Sequence, residues 1–265
     1  MEIIGFGAAL FVGISLGLVG GGGSILAVPI LAYIFGLDEK VATGYSLFIV
    51  GTASLVGGFK QHQNKNIDWN ATVSYGIPAI IGVWIVRHYV VPMLPEEVLT
   101  IGQFVLTRRM AMFGLFSILM LIAAASLLFF KVNTDSDKVH TKKSYPIIFI
   151  EGFLIGAVTG FVGAGGGFLI IPALIFLGGI EIKKAIGTSL IIVAVKSLMG
   201  FLLGDAMNMD IDWNFLLPFT GIVIIGIFLG VYIGKFVEGE KLKKGFGIFI
   251  ILMAIWIFIK EFVIK

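Results

Sequence analysis

Apolar residues fall in eight long runs, roughly 3–36, 41–59, 71–91, 110–130, 146–179, 185–204, 214–234 and 246–264, separated by short polar stretches. Each run is apolar all round, without the polar face that a helix on a water-soluble domain carries. About 20 such residues cross the ~30 Å hydrocarbon core as a helix. Inside hydrocarbon the backbone can satisfy its own polar groups only by being helical or by closing a barrel. The pattern predicts an all-α polytopic membrane protein of about eight hydrophobic segments. Composition agrees, with 58% hydrophobic and 13% charged residues, where soluble domains carry about 25% charged.

Two runs are too long for one upright span. Segments 3–36 and 146–179 hold 34 residues each, about 50 Å of continuous helix. Both are interrupted at the same place, by Gly20-Gly21-Gly22-Gly23-Ser24 before Pro29 and by Gly163-Ala164-Gly165-Gly166-Gly167 before Pro172. Glycine and proline weaken a helix where exposed backbone is costly, and broken helices at corresponding places in two halves point to a transporter's binding site. The 143-residue offset continues: Gly44 and Ser46 match Gly187 and Ser189, and Ser54 and Gly57 match Ser197 and Gly200. Ile67-Asp68-Trp69-Asn70 recurs as Ile211-Asp212-Trp213-Asn214 at offset 144, and Gly114–Ile122 recurs as Gly247–Ile255 at offset 133. The first half thus carries about eleven extra residues around Arg87–Arg109. The chain reads as two homologous repeats, 1–130 and 145–265, joined by a polar loop at 131–144.

Topology has two solutions. If the broken segments cross once, each half has four spans, the repeats are parallel and the loops divide Lys and Arg as 10 against 8, with Lys196 left inside the membrane. If they turn back as hairpins, each half has five legs, the repeats are inverted and the division is 12 against 6. The positive-inside rule favours the larger bias, although the returning legs, 23–36 and 166–179, are short and re-entrant legs remain an alternative. Either way the termini fall on the less positive side, expected to be the outside.

The candidate chemistry is that of an anion site. A helix restarting after a break exposes unpaired N–H groups and the positive end of its dipole, which bind anions without a cationic side chain. Gly20, Gly21, Gly22, Gly23 and Ser24, with Gly163, Gly165, Gly166 and Gly167, are the candidates. The competing reading is close helix packing through small residues. Lys196 sits at the centre of segment 185–204, where a lysine usually faces a cavity or a partner; it would offset substrate charge. Its alternatives are an ion pair with Glu151, which would also offer a route for a coupling proton, or snorkelling to an interface. Hydroxyls cluster on the second segment of each half, with Ser46 and Ser189 the best candidates because both halves keep them. Back-bonding within the helix is the competing role. His62 is a second coupling candidate, against a plain solvated loop residue. Asp68 and Asp212 read as N-caps, and Trp69 and Trp213 as interfacial anchors.

Other classes are excluded by what the sequence lacks. It has no cysteine, no Gly-Lys-Ser/Thr phosphate loop, no metal-ligand spacing of His, Asp and Glu, and no Gly-x-Ser-x-Gly elbow. A net charge of +3 spread over loops gives no basic stripe for nucleic acid. No cofactor, metal or enzymatic role is expected.

With the paired glycine-rich segments, Ala185-Ile186-Gly187-Thr188-Ser189-Leu190 and the two Ile-Asp-Trp-Asn stretches, the chain resembles the sulfite exporter TauE/SafE family of membrane permeases from about residue 5 to 260. The resemblance implies a permease of the cytoplasmic membrane for sulfite or organosulfur anions such as sulfonates. The expected mechanism is secondary transport by alternating access at the repeat interface, driven by a proton, a sodium ion or the substrate gradient. An anion channel or facilitator using the same site is the alternative. The expected partners are the anion, the coupling ion and the lipid bilayer.

Overall fold

The computed structural model describes residues 2–101, 104–129 and 145–263; the polar stretch 131–144 lies outside them. The longer helices are α1 (Glu2–Val19), α3 (Glu39–Gln63), α4 (Trp69–Ile85), α6 (Arg108–Phe129), α7 (Tyr145–Val162), α9 (Ile182–Leu203), α10 (Trp213–Gly234) and α11 (Gly239–Phe262). The shorter ones are α2 (Ala27–Pro29), α5 (Val91–Met93) and α8 (Gly167–Pro172). Seven helical stretches are long and apolar enough to cross a membrane, and Ile148–Val162 is a shorter apolar eighth. The chain is an all-α polytopic membrane protein with one small addition. Strands β1 (Glu97–Ile101) and β2 (Phe104–Thr107) form an antiparallel hairpin, and it occupies the extra residues of the first half.

The glycine runs turn the chain round. Gly20 has φ +69° and Gly163, Gly165 and Gly166 have φ of +73°, +64° and +72°, a region that costs residues with a Cβ. After Gly20 the chain runs back along α1. The Ser15 hydroxyl donates to the Gly23 carbonyl at 3.3 Å, and the Phe35 ring reaches Gly5 and packs edge-on to Phe6 at 6.4 Å. The returning leg begins as a 3₁₀ helix, Gly20–Leu26, and its residues from Gly23 to Phe35 are enough to cover the height of α1 from Ser15 to Gly5. Pro29 and Pro172 each lead into a π-turn, Ile30–Ile34 and Ala173–Leu177, where the missing N–H and the ring loosen the ladder. The second break makes the same hairpin, with Ile170 and Ala173 meeting Ile155 and Gly152 across a small gap.

Helix directions follow from which residues meet. α3 and α9 are antiparallel, since Gly44 faces Asp205, Gly51 faces Leu198 and Gly58 faces Ile191. α6 and α11 are antiparallel, with Gly114 on Phe262 and Gly247 on Leu128. α1 runs parallel to α10, Gly13 and Gly17 interlocking with Gly226 and Gly230, while α7 runs parallel to α4, with Gly152, Gly156 and Gly160 on Pro78, Ala79 and Val83. These four-residue spacings of small residues let backbones touch, the usual device where lipid offers no hydrophobic drive. Single-crossing segments would make α3 and α9 parallel. The observed directions need the chain to turn back at both glycine runs.

The caps form where the sequence placed them. The Asp68 carboxylate accepts from Ala71 N at 2.9 Å, and that of Asp212 accepts from Asn214 N and Phe215 N at 3.0 and 3.2 Å. Trp69 and Trp213 at these helix starts are exposed.

Candidate functional site

The two breaks cross at the centre of the bundle, backbone against backbone. A Cβ on Gly167 would collide with the backbone of Gly21, one on Gly23 with Ser15 and Leu16, and one on Gly22 with the Phe246 ring. Gly21 N donates to the Ser189 hydroxyl at 3.2 Å, and that hydroxyl donates to Ile186 O at 2.8 Å. α9 therefore holds the first break in place, and Ser189 is committed to it. Gly165 lies over Ser24 and Val50, and Gly166 over Thr159.

Lys196 lies beside this crossing and is fully buried. Its ammonium donates to the Thr159 hydroxyl, and Thr159 in turn donates to Ile155 O at 2.6 Å. The ion pairs of the described residues do not include Lys196. Glu151 accepts from the Tyr75 hydroxyl at 3.4 Å; it sits eight residues before Thr159 on α7, about 12 Å along the axis. Around the crossing, the hydroxyls of Ser24, Ser46, Ser54 and Ser197 are buried with no hydrogen-bond partner among the described residues. Unpaired buried hydroxyls are costly, and native structures usually keep them only where something else binds. A buried cation and hydroxyls without a partner among the described residues thus share the core of the bundle with the two glycine turns.

The two ends of the bundle differ. At the end where α3 finishes and α9 begins, a cavity of about 240 Å³ is lined by Gly17, Gln61, Asn66, Lys183, Val231 and Lys235. Ile186, also in its wall, packs on Gly20, so one residue separates the cavity from the first break. The opposite end, which carries Glu2 and Phe262, is closed by ion pairs, two of them buried. Arg87 Nη1 donates to Asp205 Oδ1 at 3.0 Å and to the Thr43 hydroxyl at 3.1 Å. Arg108 Nε donates to Glu39 Oε1 at 2.6 Å. Arg109 Nε donates to Glu261 at 3.0 Å, and the Tyr33 hydroxyl donates to the same carboxylate at 2.6 Å.

The structure thus brings together Gly20–Ser24, Gly163, Gly165, Gly166, Gly167, Ser189 and Lys196. It leaves His62 exposed at the end of α3, edge-on to Trp69 at 5.6 Å, away from the crossing. Sequence reasoning missed Arg87, Lys183 and Lys235. Arg87 had the same signal as Lys196, a cation in an apolar run (Ile85-Val86-Arg87-His88-Tyr89-Val90-Val91), but it lay near the run's end and counted with the loop.

Comparison with known proteins places this geometry. A family model described as sulfite exporter TauE/SafE matches residues 5–257. A probable membrane transporter protein of Xylella fastidiosa (strain 9a5c) is 30% identical over 262 residues, covering 96% of this chain and 94% of the relative. The probable membrane transporter protein MJ0441 of Methanocaldococcus jannaschii is 35% identical over 207 residues, covering 76% of this chain and 69% of the relative. A probable membrane transporter protein of Haemophilus influenzae is 26% identical over 269 residues, covering 94% of each. No solved structure matches the chain.

Proposed function

Because the chain belongs to the sulfite exporter TauE/SafE family, we propose that it is a secondary transporter for small anions, sulfite or organosulfur anions such as sulfonates. The observation that carries this reading is Lys196, a buried ammonium facing a neutral hydroxyl at the crossing of two glycine turns. A lone cation at that depth is unfavourable unless a charge arrives to meet it. Lys196 supplies the charge, and Ser24, Ser46 and Ser197 supply hydroxyl donors. Of the candidate glycines, Gly21 and Gly167 serve chiefly to let the turns touch, while Gly22 makes room for Phe246 and Gly23 for the backbone of α1.

Two halves pointing opposite ways, with the breaks at their interface, suit alternating access by rocking of one half on the other. The lysine-lined cavity is the open route to the site in this conformation, and the ion-paired end is the closed one. With five legs per half, the Lys and Arg of the described residues are in excess at the cavity end, which supports a cytoplasmic position for that end and an outside position for the termini.

The test is flux in proteoliposomes. Labelled sulfite, sulfoacetate, taurine, sulfate and acetate are offered at graded concentrations, with and without proton and sodium gradients. Saturable, selective flux with counterflow supports a carrier. Non-saturating flux of one anion would mean a channel, and no flux of any anion would overturn the reading.

A further inference from the structure

A second cation in the molecule has no role in the site described so far. Arg87 is 1% exposed, and its Nη1 is taken by Asp205 and Thr43. Its Nε and Nη2 are buried with no hydrogen-bond partner among the described residues, as is Asp205 Oδ2. The free edge is informative. Nε and Nη2 present two parallel N–H bonds, the fork that matches two oxygens of one oxyanion. An arginine kept only to pair with Asp205 would turn that edge to the carboxylate and use both of its oxygens. Instead the fork is left open and Nη2 lies over Gly163, where any side chain would collide with it.

Its position in the fold gives the open fork a use. At the offsets of 143 and 144 that relate the two halves, Gly17, Ile186 and Val231 in the wall of the open cavity correspond to Gly160, Thr43 and Arg87, and Gly20, which packs on Ile186, corresponds to Gly163. Thr43 and Gly163 both touch Arg87. The closed end therefore holds the counterpart of the open cavity, filled by an arginine where the open one has a valine.

We propose that Arg87 is a second anion-binding residue: when the end of the bundle carrying the termini opens, its Nε–Nη2 edge takes two oxygens of the transported oxyanion, while Asp205 and Thr43 position the guanidinium through Nη1. This rests on the transporter reading above and deepens it. The anion passes between two cations, Lys196 at the crossing and Arg87 beyond Gly163. Ligands with two oxygens free on one centre, such as sulfite and sulfonates, fit the fork, and a single-point cation does not replace it.

The test is sulfite binding to detergent-purified protein, by calorimetry and by the thermal shift sulfite induces. Arg87→Lys keeps the charge and loses the fork. It should unfold without ligand within a few degrees of wild type and bind sulfite at least tenfold more weakly. The double variant Arg87→Gln/Asp205→Asn leaves no buried charge unpaired and should lose the same affinity, so the result does not depend on one variant folding. A folded variant of either kind with wild-type sulfite affinity would overturn the proposal. If Lys196→Gln abolishes binding while both Arg87 variants retain it, this inference alone fails; if wild type binds no anion, the transporter reading fails with it.

Discussion

Replacing Lys196 with methionine separates two roles by the sign of its effect on stability. Lys196→Met keeps the unbranched shape and removes the charge. The ammonium is fully buried and meets the neutral Thr159 hydroxyl, so wild type carries a desolvation cost that no ion pair among the described residues offsets. Replacing buried charge with an apolar side chain of similar volume is often stabilising by about 1–4 kcal/mol. Thr159 is not stranded by the change, because it still donates to Ile155 O at 2.6 Å. A net gain of about 2 kcal/mol corresponds to a midpoint raised by roughly 4–8 °C for a chain of this size. Anion binding should move the other way, weaker by about 10–100-fold, or about 1.4–2.8 kcal/mol. Tryptophan fluorescence on heating reads the first and ligand titration the second. A structural ion pair predicts the reverse, since removing one member costs about 3–5 kcal/mol. A lowered midpoint in Lys196→Met, or unchanged anion affinity, would refute the reasoning.

Two further outcomes follow from the packing and the charge at the mouth. Gly167→Ala places a Cβ in the backbone of Gly21, so neither turn can yield without opening the crossing; it should lower the thermal midpoint by roughly 6–12 °C, about 3 kcal/mol. Gly7→Ala, in open space on α1, should be neutral or stabilising by up to about 1 kcal/mol, and equal behaviour of the two variants would sink the packing argument. Lys183→Gln and Lys235→Gln at the cavity mouth should slow anion capture at low ionic strength, with the difference fading as salt screens the field. Salt-independent loss of flux in those variants would place the lysines in the binding step itself.

Much of the architecture could be read from the sequence, because hydropathy and repetition are long-range signals that survive without contacts. The eight apolar runs, the breaks at Gly20–Gly23 and Gly163–Gly167, and the caps at Asp68 and Asp212 all rest on local chemistry. The direction of the legs after the breaks does not. It is set by the left-handed turn at Gly20 and by the contacts the returning leg makes with Ser15 and Gly5, and nothing in the hydropathy of 23–36 distinguishes that from a shallow loop. The site was legible only where a residue was improbable for its surroundings, as Lys196 was. Ser189 looked like a substrate ligand because both halves keep a serine there, yet its hydroxyl holds Gly21. Arg87 and Asp205 are 118 residues apart in sequence, and no local pattern announces that they meet.

The reciprocal seating of the first helices bears on how the molecule is made. α1 packs along α10, and α7 along α4, so each half contributes its leading helix to the wall of the other. Most of the segment Gly5–Ile34 is buried, yet α10, the main neighbour of α1, leaves the ribosome some two hundred residues later. The stripe of Gly13 and Gly17 on α1 therefore stays without the α10 backbone that fills it until those later residues have followed. The seam between α1 and α10 is thus closed late in synthesis, after the intervening helices are already in the bilayer.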